Sequence, residues 1–113
     1  MLPSAIHAAT NKSLILAILS KREESYGYEI IQLVQKLSDG AIQWKDGMLY
    51  PVLHRMEKEC LVRSRWSVAQ NGRKRKYYSI TEEGMVAMSQ MKHQWEQANS
   101  IMTRAWKLDL SLT

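Results

Sequence analysis

The sequence predicts a mainly α fold with one small β-hairpin and a long C-terminal helix. Three observations carry that expectation. Apolar residues recur at helical spacing in four separate segments. Two stretches rich in β-branched and aromatic residues flank Asn71-Gly72, a strong hairpin signal because both residues accept the positive φ of a tight turn. The last helical segment is too long for a chain of 113 residues to cover by itself. No low-complexity tract, internal repeat or Gly/Ser linker interrupts the chain, so one continuous unit is expected. Residues 5–80 would form its body and 81–108 a helical extension.

The elements follow in order. Pro3 and Ser4 open a first helix that reaches Ser20, with Leu14, Ile15, Ile18 and Leu19 as its apolar face. Residues 21–24 read as a polar turn. A second helix begins at Ser25, a good N-cap, and carries Ile30, Ile31, Val34 and Leu37 until Asp39-Gly40 stops it. A connector over 41–45 leads to a third helix capped by Asp46. Its inward stripe is Leu49, Val52, Leu53, Met56 and Cys60, which leaves Tyr50, His54, Arg55, Glu57 and Lys58 off the stripe. Pro51 lacks a backbone donor and fits best in a first turn, so this helix is expected to start close to Gly47. Residues 61–68 and 74–80 are the hairpin strands, and without clean alternation their register stays open.

Thr81 caps the last helix, and Glu82 and Glu83 complement its dipole. Met88, Met91, Trp95, Ala98, Met102 and Ala105 form a heptad-like seam along it. From 81 to 108 this helix would be about 40 Å long at ~1.5 Å per residue. A body of this size has a radius of gyration of about 13 Å. A second copy of the chain is the simplest cover for the seam, so a homodimer is expected.

Charge points to the partner. The net charge is +5, yet residues 45–76 hold nine cations against three acids, and the remainder is close to neutral. Such a concentration is the footprint of a polyanion site. Arg73, Lys74, Arg75 and Lys76 follow the turn directly and repel one another, so the hairpin tip must project into solvent or toward a polyanion. Other chemistry finds little support. His7, His54 and His93 share no metal-ligand spacing, and there is neither a paired-Cys motif nor a Gly-rich phosphate loop. The expectation is a protein that is not an enzyme and has no cofactor or metal. The single cysteine, Cys60, excludes an intramolecular disulfide, fits a reducing compartment and falls on the buried stripe, where thiols are inert. The longest apolar run, residues 14–19, is far below a membrane span of roughly 20 residues. With no signal-type leader, a cytoplasmic location without membrane contact is expected.

Helix, helix, then a basic hairpin is the order of a winged helix-turn-helix, in which the last helix before the hairpin enters the major groove. Tyr50, His54, Arg55 and Lys58 then become the base- and phosphate-contacting set, with Arg73, Lys74, Arg75 and Lys76 clamping the backbone beside them. An ordinary solvated helix face would look similar by itself, and the basic wing tips the balance toward double-stranded DNA. The alternative is a non-enzymatic RNA-binding or protein-interaction module using the same wing. Trp44 is expected to plug the core, and Trp66 to pack or to stand exposed on the hairpin.

Four segments sharpen this reading. Tyr26-Gly27-Tyr28-Glu29-Ile30, Gly47-Met48-Leu49-Tyr50-Pro51, Leu53-His54-Arg55-Met56-Glu57 and the run from Arg75 through Gly84 resemble, in order and spacing, the signatures of the PadR family of bacterial transcriptional regulators. The resemblance covers roughly residues 10–106. It implies winged-helix homodimers that repress genes and release DNA when a small, often aromatic, molecule binds. Two copies would place their recognition helices about one duplex turn apart and demand a pseudo-palindromic operator. The resemblance also implies an effector position at Trp95, with Met88, Met91 and Asn99 nearby. A dimer-core tryptophan without a ligand accounts for Trp95 equally well. Because Asn99 is not a carboxylate, nothing there would specially attract a cation. The family commonly has Thr or Ser where this chain has Met48, which implies one phosphate-holding hydroxyl fewer. It often has Gly where this chain has Cys60, so the end of the third helix is expected to differ locally.

Overall fold

A computed structural model describes residues 4–112, so Pro3 lies outside the described residues. The elements are α1 (Ser4–Ser20), β1 (Ser25–Tyr26), α2 (Gly27–Leu37), α3 (Asp46–Lys58), β2 (Val62–Val68), β3 (Lys74–Ile80) and α4 (Glu82–Trp106), followed by a 3₁₀ turn (Leu110–Leu112). Four helices around a small antiparallel sheet give the winged-helix class that the sequence predicts. Among the described residues no helix is long and apolar enough to cross a membrane.

The unbroken apolar run in α1 explains its central place. An ordinary surface helix buries one stripe, whereas α1 packs against α2, α3, β3 and α4. Ile15, Leu16 and Leu19 are fully buried, and Leu14 is half-buried toward α4. Ile18, Ile30, Val34, Ile42, Leu49, Leu53, Met56, Leu61, Val62 and Tyr78 complete the core, and Trp44 plugs it from the connector before α3. Leu37, expected on the inward face of α2, is instead 67% exposed. It falls in the last turn of α2, beyond the edge of the core. There the chain reverses through Asp39 and Gly40, both at positive φ, and the Gly40 amide donates to the Gln35 carbonyl at 2.8 Å.

Ser25 does not cap α2. It lies in β1, paired with Tyr78 while Tyr26 pairs with Tyr77, and this third strand sets the sheet order β1-β3-β2. Backbone pairing with β3 takes precedence over capping, and α2 begins one residue after Tyr26 with no side-chain cap. The Ser25 hydroxyl donates to Glu29 Oε1 at 2.6 Å within the first turn of α2. Similarly, Asp46 is the first residue of α3 rather than its cap. Pro51 sits in the second turn of α3, where the donor it lacks would have paired with the Gly47 carbonyl.

The end of α3 corrects two further expectations. Cys60 is exposed, so the inward stripe stops at Met56. Cys60 also adopts the left-handed conformation (φ 63°) that glycine would take at this position. The Cys60 amide donates to the Glu57 carbonyl at 3.0 Å and the Leu61 amide to the Met56 carbonyl at 2.9 Å, a complete Schellman cap. The helix therefore ends as a glycine-capped helix does, with the strain carried by the cysteine.

The hairpin register runs from Val62 opposite Ile80 to Val68 opposite Lys74. Its turn begins one residue earlier than a two-residue Asn-Gly turn requires. The Gly72 amide donates to the Ala69 carbonyl (2.9 Å), the Ala69 amide to the Arg73 carbonyl (2.8 Å), and only Gly72 has positive φ (80°). This is a three-residue loop with a left-handed glycine. Asn71 contributes through its side chain, whose Oδ1 accepts from the Arg73 amide at 3.1 Å.

At Thr81 the end of α3, the wing and α4 meet. The Thr81 hydroxyl accepts from the Gly84 amide at 3.0 Å, capping α4, and donates to the Cys60 carbonyl at 2.5 Å. The Thr81 amide donates to the Leu61 carbonyl at 3.1 Å. Gly84 is required here, since a Cβ would collide with that same Leu61 carbonyl and with Ile80. Beyond the joint the first half of α4 packs on α1 as far as Trp95, and only its later turns leave the body. Gly84 is its one buried residue, while Met85, Val86, Trp95, Ile101, Met102 and Trp106 are exposed. The radius of gyration is 17.2 Å, with extents of 68 × 30 × 20 Å, against about 13 Å for a compact domain of this length.

Candidate nucleic-acid interface

The α3 face and the wing face each other across a cleft of about 550 Å³. Tyr50 and His54 line it from α3, Tyr26 from β1, Tyr28 from the start of α2, and Trp66, Tyr78 and the four cations of residues 73–76 from the hairpin. His54, Arg55 and Lys58 are exposed, with His54 and Lys58 bordering a second shallow depression on the outer side of α3. Tyr50 is not a freely projecting residue. It is half-buried, and its ring lies against Gly27, where any Cβ would strike the hydroxyl. A larger residue at position 27 would therefore push the Tyr50 ring out of its place. Burial, then the nearby Asp46 and Tyr78, raises the Tyr50 hydroxyl above the ordinary phenol value, against a smaller opposing effect of Lys76. It stays protonated near neutrality and can donate to a phosphate oxygen.

The ladder divides the cation run. Trp66, Lys74, Lys76 and Tyr78 share one sheet face, because strand side chains alternate. Lys76 Nζ lies 5.7 Å from the Trp66 ring centroid and 5.5 Å from that of Tyr78. Arg75 alternates to the other face, where its guanidinium stacks 4.2 Å from the Tyr26 centroid. Arg65 stacks on Tyr77 at 5.0 Å, and Tyr26 and Tyr77 meet edge to face at 5.6 Å. Arg65 also makes a two-pronged ion pair with Glu24, with Nε to Oε2 at 2.8 Å. That hydrogen bond, chiefly, holds the Glu24 carboxyl below its usual range. The stack ties the wing to the start of α2. Neither Glu24 nor Tyr26 is marked in the sequence as a partner of the wing, since both contacts depend on a two-residue strand.

Other contacts fix α3. Lys12 pairs with Glu59 at 3.1 Å, joining α1 to the end of α3. Ser64 donates to Glu57 Oε2 at 2.6 Å, joining β2 to α3. Met48, which stands in the place of a hydroxyl residue, is half-buried against α1, where Asn11 Nδ2 approaches its sulfur at 3.5 Å. Among the described residues no group of three or more His, Cys, Asp or Glu side chains could hold a metal ion.

A second cavity, about 410 Å³, lies between α1 and α4. Met88, Met91, Lys92 and Trp95 form its α4 wall, and Thr10, Ser13, Leu14 and Ala17 are prominent on its α1 wall. The Trp95 indole donates to Ser13 Oγ at 3.3 Å, and Ser13 Oγ lies 3.3 Å from Met91 Sδ. Asn99 is not brought into this cavity; it is exposed, and its carbonyl accepts from Thr103 Oγ1 at 2.7 Å within α4. The α1 wall is invisible to a reading of α4 alone. Its one sequence signal is Leu14, an apolar residue at the edge of the α1 core.

Comparison with known proteins agrees with this geometry. The model of the PadR-like transcriptional regulator family matches residues 15–90. An uncharacterized protein of Lysinibacillus sphaericus is 32% identical over 90 residues, covering 80% of this chain and 82% of that protein. The transcriptional regulator YqjI of Escherichia coli is 32% identical over 83 residues, covering 74% of this chain, which spans 38% of that protein's length. A PadR-like transcriptional regulator from Bacillus cereus superposes with a TM-score of 0.80 at 29% identity, covering 94% of this chain and 100% of that one. A transcriptional regulator from Clostridium thermocellum gives 0.81 at 27% identity, covering 92% and 97%. With a winged-helix body, a basic cleft and these likenesses, the chain belongs to the PadR-like family of DNA-binding transcriptional regulators.

Proposed function

We propose that this protein is a homodimeric, sequence-specific transcriptional repressor that a small aromatic ligand releases from its operator. The observation that carries the reading is the convergence of the exposed α3 face and the basic wing on one cleft. In this reading residues 5–80 hold DNA. His54, Arg55 and Lys58 meet base edges and phosphates in the major groove, and Tyr50 donates to a phosphate from its packed position. Arg73, Lys74 and Lys76 neutralise backbone charge, and Arg75 does so while stacked on Tyr26. No residue acts as a catalyst, and the protein works in the cytoplasm.

Residues 81–108 assemble the dimer. The exposed Trp95, Ile101, Met102 and Trp106 give α4 an apolar surface that a second copy would cover. Two recognition helices would then lie about 34 Å apart and require a pseudo-palindromic operator. The α1/α4 cavity would take the ligand against Trp95, Met88 and Met91, with Asn99 outside it. Binding there releases DNA if it favours a dimer geometry with the wrong helix spacing.

Selection of bound fragments from random duplex DNA, with and without a panel of aromatic acids and planar cations, tests the whole scheme. The expected result is one inverted-repeat motif whose recovery falls with an active ligand. Preference for structured RNA over duplex in direct competition would refute the DNA reading. A monomer in native mass measurement would refute the dimer. Unchanged ligand binding by Trp95→Ala would refute the effector site.

A further inference from the structure

We propose that Trp66 packs against the deoxyribose backbone of bound duplex DNA, making an apolar contact beside the phosphate contact of Lys76. The proposal rests on the DNA-binding reading above. Trp66 shares its sheet face with Val62 and Tyr78, which are 2% and 0% exposed in the core, whereas Trp66 itself is 64% exposed. The strand has run past the core, and its inward face has become the wall of the cleft. The indole there shares its surroundings with the Lys76 ammonium, which faces its ring across the ladder. A single exposed aromatic is ordinary on a protein surface. Here Tyr28, 62% exposed, lines the same basic cleft, so two aromatic side chains are presented where a polyanion would lie.

The geometry also selects the part of DNA that meets them. With α3 in the major groove and the wing beside it, the segment passing between them is a backbone strand, on which phosphates alternate with sugars. The sugar faces are its apolar part, and an indole next to an ammonium complements that alternation. Such a contact differs from those of the wing cations in releasing no counterions.

The test measures affinity of the full-length protein for three labelled duplexes of different base composition, over a range of salt concentrations. Trp66→Ala should bind each duplex about tenfold more weakly, as expected for losing part of a buried indole face, with an unchanged slope of log K against log salt. Trp66→Phe should recover most of the loss. Lys76→Gln should instead lower the slope by about 0.9, the value for one phosphate. Because Trp66 is mostly exposed and meets Lys76 across the ladder, Trp66→Ala should lower the unfolding midpoint only slightly and stay fully folded in the binding assay, which separates lost contact from lost fold. Unchanged duplex affinity of Trp66→Ala would overturn the proposal. So would a loss confined to one duplex, which would mean base reading. If the wild-type protein bound no duplex, the DNA reading would fail as a whole, a result distinct from failure of the Trp66 contact.

Discussion

Replacing Thr81 by valine keeps the side chain's shape and removes two hydrogen bonds at the joint between the wing and α4. The hydroxyl caps the Gly84 amide at 3.0 Å and donates to the Cys60 carbonyl at 2.5 Å, in a residue only 8% exposed. Loss of a cap costs about 1 kcal/mol. The Gly84 amide is buried, so it cannot turn to water, and the orphaned carbonyl adds about 0.5–1.5 kcal/mol. The sum is roughly 2 kcal/mol. With a urea m-value of about 2 kcal/mol/M, the midpoint should fall by about 1 M. Thr81→Ser keeps both hydrogen bonds and loses one methyl, so it should cost under about 1 kcal/mol. Both variants are compared with wild type by urea unfolding at one fixed protein concentration, since assembly shifts midpoints by mass action. A Thr81→Val protein no less stable than Thr81→Ser would refute the argument that these hydrogen bonds hold the joint.

Three further outcomes are expected. Cys60→Gly should raise stability by about 0.5 kcal/mol in urea unfolding, because relief of left-handed strain slightly exceeds the entropy glycine adds to the unfolded chain; Cys60→Val should lower it by more than about 1 kcal/mol. The buried Tyr78 hydroxyl has no hydrogen-bond partner among the described residues, so Tyr78→Phe should unfold within about 0.5 kcal/mol of wild type or be more stable, whereas Tyr78→Ala should lose at least about 3 kcal/mol. Glu24 has a depressed carboxyl, so its tie to Arg65 is present above the ordinary value of 4.5 and is lost as pH falls through the lower folded value. The stability difference between wild type and Glu24→Gln, followed by denaturant unfolding from pH 6 down to about pH 3, should therefore shrink with acid; a gap that widened would reverse the sign.

Much of this architecture is legible in the chain because local and global signals agree. The spacing of Leu49, Leu53 and Met56 identifies α3, and Thr81-Glu82-Glu83 announces α4 before any contact is known. Residues whose roles depend on distant partners read differently. Ser25 has the chemistry of a cap, yet β3 recruits it into a strand. Leu37 keeps helical phase but falls past the core, and Cys60 keeps it only to end up in a solvent-facing turn. In the candidate site, the exposure of His54, Arg55 and Lys58 follows from helical periodicity alone. The packing of Tyr50 on Gly27 and the stacking of Arg75 on Tyr26 do not, because each joins elements more than twenty residues apart.

The meeting point at Thr81 makes α4 a lever. The helix runs 25 residues from a joint hydrogen-bonded to the last turn of α3 and the first residues of the wing. Its first half is also held on α1 as far as Trp95, so the free arm is residues 96–106, about 16 Å at ~1.5 Å per residue, and a swing of about 5° moves its far end by only about 1.4 Å. A small displacement at the tip thus corresponds to an angular change of the whole reading head, and the hydrogen bonds at Thr81 together with the packing of α4 on α1 set how faithfully one end follows the other.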